Sequence, residues 1–317
     1  KMVVADGAGS GAAVTDVLDL TGGTGNIGLG SGSLGTALTT GTDNVAIGEN
    51  AGDAMTTGSD NTFVGDNAGG GTTTGGNNVA IGSSALLANT TASYNIGIGT
   101  DAGLAITTGD RNIAIGYQAL KTNTVGDRSV AVGYSALYTQ EPSSNADMAN
   151  VAIGNLSMYS TTTGTNNTGV GFNTMFANTT GASNVAIGYG ALDANTTADN
   201  NTAVGNSALT ANTTGALNVA VGALSLDANT TGAYNTALGG QALSANTTAN
   251  YNVGVGLNAL LVNTTGTLNV AVGALALDAN TTANNNVAVG HGSLSANTTG
   301  ASNVAVGTYA LDANTTA

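Results

Sequence analysis

Seventeen times along the chain a glycine closes a short phrase of the type Asn-Val-Ala-Ile-Gly, and successive closing glycines are 17 residues apart. The series runs from Gly30 through Gly188 to Gly307. Only the first step, of 18 residues, and the step from Gly133 to Gly154, of 21, depart from the rhythm. So short a period excludes most folds. Helix-pair repeats need about 33–47 residues per unit, and glycines with Asn-Thr-Thr clusters at this density would break a helix. What remains is a solenoid in which each phrase makes one coil.

Counting from the opening Asn of each phrase, the second position is β-branched in every copy, from Ile27 to Val304, and the fourth is always Val, Ile or Leu. Both preferences favour a pleated strand. The fold class expected is therefore all-β: a parallel β-solenoid with two short strands and two turns per coil, occupying residues 26–317, with 1–25 a connecting segment or degenerate coil. The third position is Ala or Gly in sixteen copies, Phe63 being the exception. On a strand, positions two and four share one face and position three takes the other. The expectation is that Val185 and Ile187 line the coil while Ala186 points out of it. A solvent-facing row would drift to polar residues, so the small row Ala186, Ala203, Ala220, Ala271, Ala288 and Ala305 is expected to pack against other copies of the chain. That predicts a fibrous homo-oligomer.

Composition narrows the function. The chain carries 49 Gly, one Pro, no Cys and 41% hydrophobic residues, mostly aliphatic and regularly placed, so it reads as ordered and not as low-complexity disorder. A net charge of −14 argues against nucleic acid and anionic membranes as partners. No apolar run approaches a membrane span. Without cysteine there are neither disulfides nor thiolate metal sites. Lys1 precedes Met2 and Ala317 closes a phrase, which reads as a fragment of a longer chain.

The "NVAIG" phrase with its trailing small residues resembles the head repeats of trimeric autotransporter adhesins. The longer "NTAVGNSALTANTTG" more closely resembles repeat regions of phage tail fibres and related surface proteins. The resemblance covers nearly the whole chain. It implies a left-handed β-roll with three chains about one axis, serving as the shaft of a viral tail fibre or spike that holds a receptor-binding tip and contacts host-surface glycans. The virion tail would be its location. A bacterial surface adhesin or extracellular filament is the alternative, and an ice-binding solenoid the second.

Stacked coils place equivalent residues above one another. Asn184, Asn201 and Asn218 should form one ladder and Asn195, Asn212 and Asn229 another, with Tyr117 over Tyr134 and Tyr234 over Tyr251. "NTT" is also a glycosylation sequon, at Asn89, Asn178, Asn195 and later coils. Ladder packing about 4.8 Å apart leaves no room for sugars. Thr196 and Thr197 are adjacent and so face opposite ways, against a two-rank ice-binding array. The acids Asp193, Asp227, Asp278 and Asp312 share one position and never occupy adjacent coils, which reads as charge avoidance.

Arg111, Lys121 and Arg128 cluster in successive coils, and each Arg is expected to pair with an Asp. The insertion near 138–149, with the only Pro, follows directly. Loops on rigid scaffolds often carry binding, so Arg111, Lys121, Arg128, Tyr138, Glu141 and Pro142 are the candidate surface-contact residues. The sole histidine, His291, has no Ser-His-acid constellation around it. No catalytic, cofactor-binding or metal-binding residues are expected.

Overall fold

The computed structural model describes residues 25–316. The expected segment 1–25 therefore lies almost wholly outside the described residues. The chain is an all-β parallel solenoid, and no helix occurs among the described residues. Seventeen three-residue strands, from Ile27–Leu29 to Val304–Val306, form one continuous parallel sheet in chain order. Register follows the period: Val185, Ala186 and Ile187 pair with Thr202, Ala203 and Val204. It survives both irregular steps, since Ile27 pairs with Val45 and Val130 with Val151. The extra residues of the long coil are accommodated outside the main sheet, where Gly126–Asp127 pairs with Ala146–Asp147.

Apart from the short Gly126–Asp127 and Ala146–Asp147 pair, each coil holds one strand, not the two expected. After the closing Gly the chain turns, with left-handed backbone at positions seven and nine (Gly190, φ 58°; Leu192, φ 56°) and again at position seventeen (Asn200, φ 60°). That conformation prevents a second extended segment. The inter-coil hydrogen bonds nevertheless continue on this side: the Leu192 and Ala194 N–H groups donate to the Ala208 and Thr210 carbonyls, each at 3.0 Å. A left-handed leucine costs about 1–2 kcal/mol, which the burial of its side chain, worth about 1.5–3 kcal/mol, offsets.

The glycine at position five is required twice over. Gly188 has φ 128°, and a Cβ there would lie 2.5 Å from the carbonyl oxygen of Gly205 in the next coil. Any side chain would push the coils apart at this corner.

The two faces of the strand are the reverse of the sequence expectation. Ala186, Ala203, Ala220, Ala271 and Ala288 are wholly buried and Ala305 is 2% exposed, all within this one chain. They line the interior of their own coil and present no surface to another copy. Val185 is half-buried and Ile187 is 40% exposed, both on the outer face. The reason is the width of the coil. At Gly97 a Cβ would already approach the Leu86 Cγ to 2.8 Å and the Ala102 carbonyl to 3.0 Å. With one short strand per coil the interior has room for a methyl group at position three, another at position eight (Ala191) and a single leucine at position nine (Leu192).

Phe63 shows the volume constraint directly. It points inward like the alanines and is fully buried. Its ring fills the space left where position nine is Gly52 in the preceding coil and Gly69 in its own, approaching ideal Cβ positions there to 2.9 and 2.6 Å. A third glycine at position nine, Gly103, is balanced by Ile106, which replaces Asn at position twelve; a Cβ on Gly103 would come within 3.1 Å of the Ile106 Cδ1.

Two buried asparagine ladders complete the core. Asn201 N–H donates to Asn184 Oδ1 at 2.9 Å, and Asn195 Nδ2 donates to Asn178 Oδ1 at 2.8 Å. Within one coil, Asn184 and Asn195 both donate to the Ala198 carbonyl, at 2.8 and 3.1 Å, clamping the Thr-Thr turn from two sides. Buried amides need hydrogen bonds, and the repeat supplies most of their partners in register; the exceptions are Asn201 Nδ2 and the whole Asn89 amide, which stands between Thr72 and Ile106 where the second ladder is interrupted. Where Ser129 interrupts the first ladder, Gln140 reaches across from position twelve: it bonds Ser129 Oγ and accepts from Asn150 Nδ2 at 2.9 Å.

Candidate interaction surfaces

Turning the small residues inward turns the large ones outward. The outer face of the sheet carries two rows along all seventeen strands: position four is always aliphatic, and position two is Val or Ile in all but four strands, where Thr62, Thr168, Thr202 and Thr236 stand. Ile153 is 41% exposed and Leu238 is 47% exposed. The rows are flanked at position seventeen by Tyr94, Leu217, Tyr234, Tyr251 and Leu268, and at position six by Tyr117, Tyr134, Phe172, Tyr189 and Leu257, all exposed. The sequence reading put these aliphatics in the core. The covariation of Phe63 with Gly52 and Gly69 was the available signal for the true interior, because it couples position three to position nine.

The aromatic ladders form as expected, with Tyr117 on Tyr134 at 5.4 Å between ring centres and Tyr234 on Tyr251 at 4.9 Å. A further stack, Tyr138–Tyr159–Phe176, has spacings of 5.0 and 5.3 Å. Inside a stack each ring covers its neighbour's face, so only edges and end faces are offered to a ligand.

The six candidate contact residues do not converge on one patch. Lys121 and Tyr138 occupy position ten, whereas Arg111 and Arg128 occupy position seventeen, at the edge of the sheet face. Lys121 Nζ lies 2.9 Å from Asp101 Oδ2. This bond lowers the Asp101 carboxyl below its ordinary value and raises the Lys121 ammonium. Arg128 pairs with Asp147 of the insertion, and the Arg111 guanidinium sits 5.9 Å from the centre of the Tyr94 ring. Arg128 thus finds an aspartate and Arg111 an aromatic ring. The neighbouring Asp110 and Asp127 instead accept backbone N–H bonds from the preceding coil, both at 2.7 Å.

The insertion is largely folded back onto the rod. The Glu141 carboxylate accepts from the Thr124 N–H at 2.9 Å and from its hydroxyl at 2.6 Å. Pro142 and Met148 are buried, and Ser143, Ser144 and Asn145 form the exposed tip.

Asn89, Asn178 and Asn195 of the sequons are wholly buried. Thr196 donates its hydroxyl to the Thr213 carbonyl at 3.1 Å, whereas Thr197 is exposed, so each coil presents one outward threonine of the pair. At position ten, burial raises the carboxyls of Asp193 and Asp278 above the ordinary value, and Asp227 accepts the Ser244 hydroxyl at 2.6 Å. His291 meets the edge of Tyr309 with ring centres 5.1 Å apart. Among the described residues no group of three or more His, Asp or Glu side chains is placed to hold a metal ion. No protein-family model matches the chain, and no curated protein matches it.

Proposed function

We propose that the chain is a structural shaft that self-associates through the outer face of its sheet, as a left-handed, homotrimeric β-roll. The observation that carries this reading is the half-buried to exposed, mostly aliphatic pair of rows on the outer face of the seventeen-stranded sheet. At about 4.8 Å per coil the face runs for roughly 77 Å. Contiguous exposed apolar surface beyond a few hundred Å² marks an interaction site, and a stable interface buries about 800 Å² per partner. A strip of this length meets that figure at a width of about 10 Å, the span of a three-residue strand.

The resemblance of the repeat to tail-fibre sequences makes a viral tail fibre or spike the favoured carrier, with the shaft holding a receptor-binding tip away from the virion. Contact with host-surface glycans along the side belongs to the same proposal, and the exposed Tyr117 and Tyr134 rings are the surface suited to it. The "NVAIG" strands equally support a bacterial surface adhesin built on the same coil. The native mass by light scattering, with and without boiling in detergent, tests the reading. A trimer that resists detergent until heated is expected, and a monomer at micromolar concentration would reject it.

A further inference from the structure

We propose that Tyr234 and Tyr251 form an oxidative modification site, where a peroxide acting through a haem peroxidase couples the two rings into a dityrosine. The new bond joins consecutive coils of one chain, and the inference does not rest on the self-association proposed above.

The two residues stand 17 apart, at position seventeen of adjacent coils. Their backbones match, with φ 60° and 59°, and each N–H donates to a carbonyl of the preceding coil at 3.2 Å. The side chains therefore leave the rod in the same direction. Their ring centres lie 4.9 Å apart with 8° between the planes, the closest and flattest ring pair among the described residues. Both rings stay open to an oxidant, at 50% and 52% exposure.

The rest of the chain directs oxidation to tyrosine. It has no cysteine and no tryptophan, and Met55, Met148, Met158 and Met175 are buried, so the sulfur groups that would compete are lacking or shielded. Exposure alone does not make a coupling site. Tyr189 is 59% exposed but stacks on Phe172, and Tyr94 is 56% exposed but lies against the Arg111 guanidinium. Tyr234 and Tyr251 combine open rings with a facing phenol.

The peroxide takes one electron and one proton from each phenol and is reduced to water. The resulting phenoxyl radicals share their spin with the ring carbons beside the oxygen, and a carbon–carbon bond forms between two such carbons of the facing rings. Each bonded carbon then releases its hydrogen as a proton while its oxygen regains one, so the product is a pair of hydrogen atoms lighter. Holding the two rings side by side makes the coupling effectively unimolecular. The cross-link closes a 17-residue loop and restrains the unfolded chain as a disulfide would, in a protein that has no cysteine.

Cleavage before aspartate isolates the peptide 227–277, whose only tyrosines are Tyr234 and Tyr251. After brief treatment of the folded chain with hydrogen peroxide and a haem peroxidase, mass spectrometry should find this peptide lighter by the pair of hydrogens, together with dityrosine fluorescence. Tyr251→Phe keeps the stack and should abolish the lighter peptide. Tyr251→Leu/Leu268→Tyr sets the phenols two coils apart, about 10 Å, on the same exposed row. With circular dichroism confirming its fold, this offset variant should yield about tenfold less of the lighter peptide, or lower still, because proximity is lost. Equal yield in the offset variant would overturn the proposal. So would an unmodified peptide under conditions that couple free tyrosine, or a doubled peptide in place of the lighter one, which would report coupling between copies.

Discussion

Phe63 offers the sharpest test of how the interior is filled. The ring is wholly buried and occupies the space that two leucines would take if Gly52 and Gly69 followed the repeat. Phe63→Ala should cost about 3–5 kcal/mol, the usual range for emptying such a site. Gly69→Leu alone should also destabilise, by about 1–3 kcal/mol, because its Cβ would sit 2.6 Å from the ring. The backbone itself is no obstacle, since Gly69 has φ 59° and Leu86 holds the same position in the next coil at φ 50°. Together the two changes restore the common alanine–leucine pairing, so the double variant should recover about 2 kcal/mol or more relative to the sum of the singles. A solenoid is stabilised coil by coil, so the suitable assay is native-state hydrogen exchange read on peptides from 50–75, with 235–300 as an internal reference. Phe63→Ala should accelerate local exchange about 100- to 4,000-fold while the distant coils stay unchanged. Additive effects in the double variant would refute the claim that positions three and nine share one filled interior.

Two further outcomes follow from buried polar groups. Gln140→Ala strands Ser129 Oγ and leaves Asn150 Nδ2 with the Gly164 carbonyl alone, so exchange protection across 123–150 should fall by about 1–3 kcal/mol; adding Ser129→Asn, which restores the ladder residue, should recover most of it. Burial raises the carboxyls of Asp193 and Asp278, so the folded chain binds their protons more tightly than the unfolded chain. Their contribution is fully present below the unfolded value of 3.8 and is lost as pH rises through the higher folded value. The double variant Asp193→Asn/Asp278→Asn should therefore melt higher than the parent at neutral pH and converge with it below 3.8; identical pH slopes would refute the assignment.

The period, the parallel stacking, the two asparagine ladders and the tyrosine stacks were all legible in the sequence, because in a solenoid one register number generates them all. Which face was inner was not legible from alternation. Val185, Ala186 and Ile187 announce a two-faced strand but carry no sign. Assuming that larger aliphatics must be buried gave the wrong sign, since the left-handed residues at position nine, which narrow the coil, are far more often leucine than glycine. The evidence for narrowness lay in the exceptions. Phe63 appears where leucine is missing from position nine, and Gln140 appears where Ser129 breaks the ladder. The contact role expected for Pro142 failed for a related reason: a proline in an insertion can fold inward when the loop must bridge back to a fixed register, as the pairing of Val130 with Val151 demands.

The central claim is that the strand aliphatics face outward and join copies together, while the alanines face inward and fill one chain. Ile153→Lys/Ile187→Lys/Leu238→Lys places charges on that outer face in coils that are not adjacent, avoiding direct stacking of like charge. Native mass measured beside circular dichroism decides the matter. The account predicts a folded, solenoidal monomer in place of the parent oligomer; loss of the strand signal would show that these side chains belong to the core and would contradict it.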